Sequence, residues 1–176
     1  MDELKELREK IRVLEDIEAI RKLKARYWLC IDKKLWNQWG DCFTEDAVMA
    51  VPPVTHWQGK KEIVKNLSEF LESRSIITVH QGHHADIEIT SETTAKATWA
   101  MYDNLQDMKS MSMEGYGFYE DEYVKEDGQW KIKSVKLTRI FVKNQQISQL
   151  FLVVVCGYQT TIRWLRQESM TRMTWH

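Results

Sequence analysis

A chain of 176 residues, 43% hydrophobic and 29% charged with two prolines and seven glycines, is composed for one globular domain with a full core. Collagen-like, disordered and membrane-spanning classes are excluded. Twenty-five Lys and Arg against 26 Asp and Glu leave a formal net charge of −1, so no field exists to hold a phosphate backbone or an anionic bilayer, and neither nucleic acid nor a membrane is an expected partner.

Apolar residues recur every three or four positions at Leu4, Leu7, Ile11, Leu14, Ile17, Ile20 and Leu23 with charges between them. That spacing predicts an amphipathic helix packed on the protein's own sheet, with Tyr27 and Asp32 at its carboxyl end. The two heptad-like turns before Asp16 also fit a helix seeking a partner, but packing on the sheet is the commoner meaning of so short a repeat. Phe43-Thr44-Glu45-Asp46 reads as a turn, 47–51 as a strand ended by Pro52-Pro53, and Gly59 precedes a second helix over about 61–73. Strands are expected at 76–81, 85–90, 94–105, 113–125 and 129–142, with Asp127-Gly128 as the hairpin turn between the last two. Helices followed by a long antiparallel meander predict an α+β fold, whose long strands twist and curl around the helices into a cone with a pocket inside. Residues 145–162 carry no charge, so 1–142 reads as the barrel domain and 143–176 as a carboxyl-terminal extension that packs on the barrel or at a subunit interface.

Cys30, Cys42 and Cys156 are an odd number without a CxxC, which argues against a disulfide framework or a thiolate zinc site and fits a reducing cytoplasm. The amino terminus is charged from Asp2 and lacks a signal-peptide core, and the longest apolar run, 150–156, falls well short of the ~20 residues of a membrane-spanning helix. Gly115-Tyr116-Gly117 lacks the third glycine of a dinucleotide fingerprint, and neither a Walker loop nor a Gly-x-Ser-x-Gly elbow occurs, so an enzyme built on this chain is expected to need no cofactor.

The polar groups that stand out are Tyr27, Asp32, the cluster His80-Gln81-Gly82-His83-His84, Asp103 within a strand, and Arg139 within another. A metal site needs a third or fourth ligand that the histidines do not obviously have, so no metal is expected. Strict alternation places His80 and His84 on one strand face and His83 on the other, unless Gly82 marks a bulge. The commoner fate of His83 and His84 is the surface. Asp103 interrupts the ordinary strand run Thr98-Trp99-Ala100-Met101-Tyr102; a buried strand carboxylate needs a partner, and either a backbone bond or a histidine satisfies that need. Tyr27 lies at helical spacing from Leu23 and is expected to face inward. Arg139 fits a surface ion pair, and Trp99 and Trp130 fit the core. A tyrosine, a histidine and a carboxylate together supply what cofactor-free proton transfer requires: a base near neutrality, a group that holds its tautomer, and a donor for developing oxyanion charge.

These segments resemble a known family. Asp16-Ile17-Glu18-Ala19-Ile20, Arg26-Tyr27-Trp28-Leu29-Cys30-Ile31-Asp32, Phe43-Thr44-Glu45-Asp46-Ala47, Val79-His80-Gln81-Gly82-His83 and Asp127-Gly128-Gln129-Trp130-Lys131-Ile132 are similar to the SnoaL-like branch of the nuclear transport factor 2-like superfamily, over about residues 10–142. Within that branch, Tyr27, Cys30 and Asp32, the His80 to His83 motif, Asp103-Asn104 and Arg139-Ile140-Phe141 resemble the bile acid 7α-dehydratases. Scytalone dehydratase and lindane dehydrochlorinase are more distant relatives that use an aspartate and a histidine for elimination. The resemblance implies a cone-shaped α+β barrel and a hydro-lyase acting on a small hydrophobic substrate of 3-oxo steroid type. It implies catalytic roles for Tyr27, Asp32, His80 and Asp103, pocket positions for Val51, His83, Tyr119 and Arg139, and a homo-oligomer, a trimer by analogy. Two departures stand out: Val51 occupies the place of a pocket tyrosine in those enzymes, and 106–114 is shorter than theirs and lacks their tyrosine. The same residues also suit an isomerase or another elimination, and the fold also suits a non-catalytic binding module.

Overall fold

The computed structural model describes residues 2–107 and 111–146. Three helices, α1 (Asp2–Asp32), α2 (Trp36–Gly40) and α3 (Lys60–Ser73), accompany six strands: β1 (Phe43–Val51), β2 (Thr55–Gln58), β3 (Ile76–Ile89), β4 (Thr94–Asp107), β5 (Met111–Glu126) and β6 (Gln129–Gln146). The strands form one strongly curved sheet in the order β2-β1-β6-β5-β4-β3, antiparallel throughout except for the parallel β1–β6 pair. This is the α+β architecture that helices followed by a meander imply. No helix among the described residues is long and apolar enough to cross a membrane.

Alternation along β4 sends Ala95, Ala97, Trp99, Met101 and Asp103 inward, where they meet the Ile20, Leu23, Tyr27 and Ile31 face of α1. The helix packs on the sheet only from Asp16 onward. Leu4, Leu7, Ile11 and Leu14 stand about half exposed, so the expectation of packing along the whole helix fails for its first half. The point of attachment is polar: Asp16 accepts hydrogen bonds from Lys125 Nζ at 2.5 Å and Trp130 Nε1 at 2.9 Å, which tie α1 to the β5–β6 hairpin.

Other boundaries moved for identifiable reasons. The turn expected at Phe43 to Asp46 is the start of β1, because Phe43 and Thr44 are buried and Phe43 pairs with Ile132 of β6. The short elements α2 and β2 were not foreseen, since four or five residues are too few for a period to register. The two strands expected at 76–81 and 85–90 are one, β3, with a register shift between His83 and Asp86 and His84 at a left-handed φ of 49°. That irregularity switches the inward set from Ile76, Thr78 and His80 to Ala85, Ile87 and Ile89. The Asp127-Gly128 turn has both residues at positive φ, 50° and 75°, as a two-residue type I′ hairpin requires. β6 runs on to Gln146, past the boundary expected at 142, and the rest of the proposed extension lies outside the described residues.

Candidate active site

Between α1, α3 and the concave face of the sheet lies a cavity of about 400 Å³, within the size range of small-molecule sites. Most of its wall is apolar, from residues such as Ile31, Met49, Trp57, Leu67, Leu137 and Val51. Among the polar groups that reach it, several converge from different elements: Tyr27 from α1, Thr78 and His80 from β3, Asp103 from β4, Tyr119 from β5 and Arg139 from β6.

His80 and Asp32 form a dyad. Asp32 Oδ1 lies 2.7 Å from His80 Nδ1, and Asp32 Oδ2 accepts the His80 backbone N–H at 2.9 Å. Asp32 Oδ1 also accepts from the Thr78 hydroxyl at 2.9 Å. Burial pushes the Asp32 carboxyl up, but the bonds from His80 and Thr78 outweigh it and hold the group below its usual value. An ionised Asp32 can only accept, so Nδ1 carries the proton, and in the neutral imidazole it is Nε2 that keeps a lone pair, unbonded among the described residues. A histidine in that tautomer, on the wall of an apolar cavity, is arranged to accept a proton from a bound molecule.

Asp103 does not touch this dyad through a hydrogen bond, although it pairs with His80 in the β3–β4 register. Its partner is Arg139, whose Nη1 and Nη2 donate to Oδ1 and Oδ2 at 2.8 and 2.6 Å. Burial lowers the Arg139 guanidinium, and the stronger pull of Asp103 raises it above its usual value. Of the two partners open to Asp103 in the sequence, backbone or histidine, it uses neither. Arg139 correspondingly forms a pocket pair and not a surface one.

Tyr27 and Tyr119 are both nearly fully buried, and burial raises both phenols. Their rings lie 6.3 Å apart, centroid to centroid, at a steep angle. Behind them sits a pair that sequence reasoning missed. Lys24 Nζ lies 2.7 Å from Asp121 Oδ2, both side chains fully buried, with the amine 4.3 Å from the Tyr27 ring centroid and 4.0 Å from that of Tyr119. Asp121 also accepts from the Tyr123 hydroxyl at 2.7 Å, which in turn accepts from Trp99 Nε1 at 3.1 Å. Burial pulls the Lys24 amine down and pushes the Asp121 carboxyl up, each partly countered by the other. One signal was available in the sequence: Lys24 lies one turn from Ile20 and Tyr27 on the apolar stripe.

His83, expected to reach the pocket, is exposed, as is His84. The irregularity falls after His83 and not at Gly82, so His83 keeps the outward parity opposite to His80. Gly82 itself faces α1, where a Cβ would stand 1.7 Å from the Trp28 ring.

The fold is shared with solved structures of low sequence identity. A protein of Novosphingobium aromaticivorans named for scytalone dehydratase superposes with a TM-score of 0.72 at 24% identity, covering 76% of this chain and 90% of that one. A type 2 LinA hexachlorocyclohexane dehydrochlorinase gives 0.70 at 18%, covering 77% and 93%. The type 3 enzyme of Novosphingobium barchaimii gives 0.70 at 17%, covering 77% and 94%. At the level of sequence, residues 12–136 match the SnoaL-like domain, and with most of its length inside that match the chain belongs to the SnoaL-like family.

Proposed function

We propose that the protein is a hydro-lyase that needs no cofactor and eliminates water from an alicyclic ring, with a 3-oxo steroid of bile acid type as its substrate class. The observation that carries this reading is the Asp32–His80 dyad on the wall of an apolar cavity. His80 Nε2 accepts a carbon-bound proton next to the oxo group, and the C–H electrons move onto the oxo oxygen as an enolate. Tyr27 donates to that oxygen as it gains charge. The electrons then return to form the C=C bond and expel the hydroxyl on the carbon adjacent to the deprotonated one; that hydroxyl takes the proton back from the His80 imidazolium and leaves as water. An oriented base contributes ~10²- to 10⁴-fold and an oxyanion donor a further ~10²- to 10³-fold. Dehydratase and dehydrochlorinase names among proteins of the same fold support an elimination; the steroid class rests on the bile acid motifs in the sequence.

The test is a mass-spectrometric screen of purified protein against 3-oxo steroids and other hydroxylated rings, with loss of water as the expected signal and excess chelator without effect. His80→Ala is expected to lower turnover at least ~10²-fold with the fold intact. Asp32→Asn should cost nearly as much, and the double variant scarcely more than either. A double-bond shift without loss of mass would make the protein an isomerase, and saturable binding without turnover would make it a binding module. His80→Ala at more than a tenth of the parental rate would remove His80 as the base.

A further inference from the structure

Beyond the dyad lies a cation that neither motif nor resemblance singled out. Lys34 Nζ donates to Thr78 Oγ1 at 2.9 Å, and the single Thr78 hydroxyl proton goes to Asp32 Oδ1 at 2.9 Å. An ammonium can only donate, so it fixes the direction of the Thr78 hydroxyl, and the hydroxyl in turn fixes Asp32 as an acceptor. We infer that Lys34 is a positioning residue for the Asp32–His80 dyad, acting through Thr78 to keep the carboxylate ionised and the imidazole free of its second proton.

A second observation supports the assignment independently. α1 ends in a Schellman arrangement, with Lys34 N–H bonded to Ile31 O at 3.1 Å and Leu35 N–H to Cys30 O at 2.8 Å. The residue at its left-handed position is Lys34, with φ of 58°. Glycine or asparagine is the ordinary occupant of that position, and a lysine there is strained. Helix termination therefore does not explain the side chain. What the lysine adds is a half-buried amine, lowered by burial and countered by Asp32 and Glu72.

Other charged and titratable groups line the same cavity as His80, from each neighbouring element. Asp103 and Asp107 come from β4, Arg139 from β6, Arg74 follows α3, and Tyr27 and Tyr119 stand on α1 and β5. Asp103 and Arg139 offset one another as a bidentate pair. Among the described residues Lys34 is the lysine or arginine linked to Asp32 by a hydrogen-bonded path, so its loss should let the dyad take up a proton at higher pH.

This inference rests on the dyad being the working base, but its test needs no substrate. The full-length protein is labelled with ¹⁵N and the imidazole of His80 is followed through a pH titration, its signals assigned by their loss in His80→Ala. In Lys34→Gly the dyad's first proton uptake is expected to move up by about half a pH unit or more, while the melting temperature stays at or above that of the parent because glycine relieves the left-handed strain. Lys34→Arg should keep the parental midpoint, and Thr78→Val should shift it in the same direction as Lys34→Gly. An unchanged midpoint in both Lys34→Gly and Thr78→Val, or a lower melting temperature in Lys34→Gly with no shift, would overturn the assignment and leave Lys34 a structural residue. A parent that eliminates nothing from any ring would sink the lyase reading without altering this titration.

Discussion

Gly115 pairs with Asp103 across the β4–β5 ladder, and a Cβ built on it would stand 1.7 Å from Arg139 Nη1 and 2.2 Å from Asp103 Oδ1. The bidentate pair occupies the space a side chain would need. Gly115→Ala should therefore push the guanidinium off its carboxylate and lower turnover by up to about 10²-fold, the scale on which a displacement of about 1 Å acts, with circular dichroism and melting close to the parent. Equal turnover in Gly115→Ala would mean that the pair's geometry does not matter to the chemistry. Val51 lines the same cavity, and Val51→Tyr should change the substrate profile more than the fold; an unchanged profile would remove Val51 from the specificity wall. At this scale the sequence was informative where a residue type is out of place. An aspartate inside a strand marked Asp103, and a tyrosine on an apolar stripe marked Tyr27. What it could not give was the partner, because Asp103 to Arg139 spans 36 positions and depends on the registers of two successive ladders, β4–β5 and β5–β6. Gly115 and Thr78 were unreadable for the same reason: each matters only through what lies opposite.

Among the elements, α1 is fastened at three polar points on an otherwise apolar face. One is Asp16 at the hairpin, the second is Asp32, bonded to Thr78 and His80 of β3, and the third is Lys24, buried against Asp121 of β5. Removing one member of such a buried pair leaves the other unpaired, so Lys24→Met should cost about 3–5 kcal/mol in chemical denaturation. Lys24→Met with Asp121→Asn should recover most of that loss, since Asn still accepts from Tyr123. A single variant as stable as the parent would mean that the pair contributes nothing net to α1 docking. Asp16 adds a pH dependence. Burial pushes its carboxyl up, and the bonds from Lys125 and Trp130 hold it below the usual value. A carboxyl depressed in the folded state contributes stability that is present above the unfolded value near ~4 and is lost as pH falls toward the lower folded value. Acid denaturation should accordingly begin below about pH 4, and Asp16→Asn should flatten that limb; a limb of unchanged steepness would place the titration elsewhere. Long periodic elements were legible because many residues vote for one period, as in α1 and β4. For β3 a break near Gly82 was legible but its place was not, since the irregularity is set by a single left-handed residue, His84.

For the whole molecule, the helix-then-meander order was enough to predict the α+β class, while the parallel β1–β6 contact that extends the sheet links segments some ninety residues apart and left no local trace. The same sheet has a convex face as well as a concave one, and part of it is apolar. Ile77, Val79 and Phe118 are each more than 40% exposed there, and Tyr102, Tyr116 and Phe141 form an aromatic row across β4, β5 and β6, Tyr102 tilted against Tyr116 at 5.0 Å between ring centroids and Tyr116 stacked on Phe141 at 4.5 Å. Contiguous exposed apolar surface of this kind marks an interaction face more often than a solvated one. We propose that it joins copies of this chain, as the sequence expectation of a homo-oligomer, a trimer by analogy, requires. That expectation comes from the resemblance, and most of the extension expected at a subunit interface lies outside the described residues; the convex face supplies a separate reason. A closed ring of copies would hide this face from water while leaving the cavity on the opposite side of the sheet accessible. Sedimentation at micromolar concentration should therefore give an oligomer, and Val79→Glu with Phe118→Glu should dissociate it without changing the far-ultraviolet spectrum. A monomeric parent would remove the proposal, and an oligomer indifferent to both charges would move the interface off the sheet.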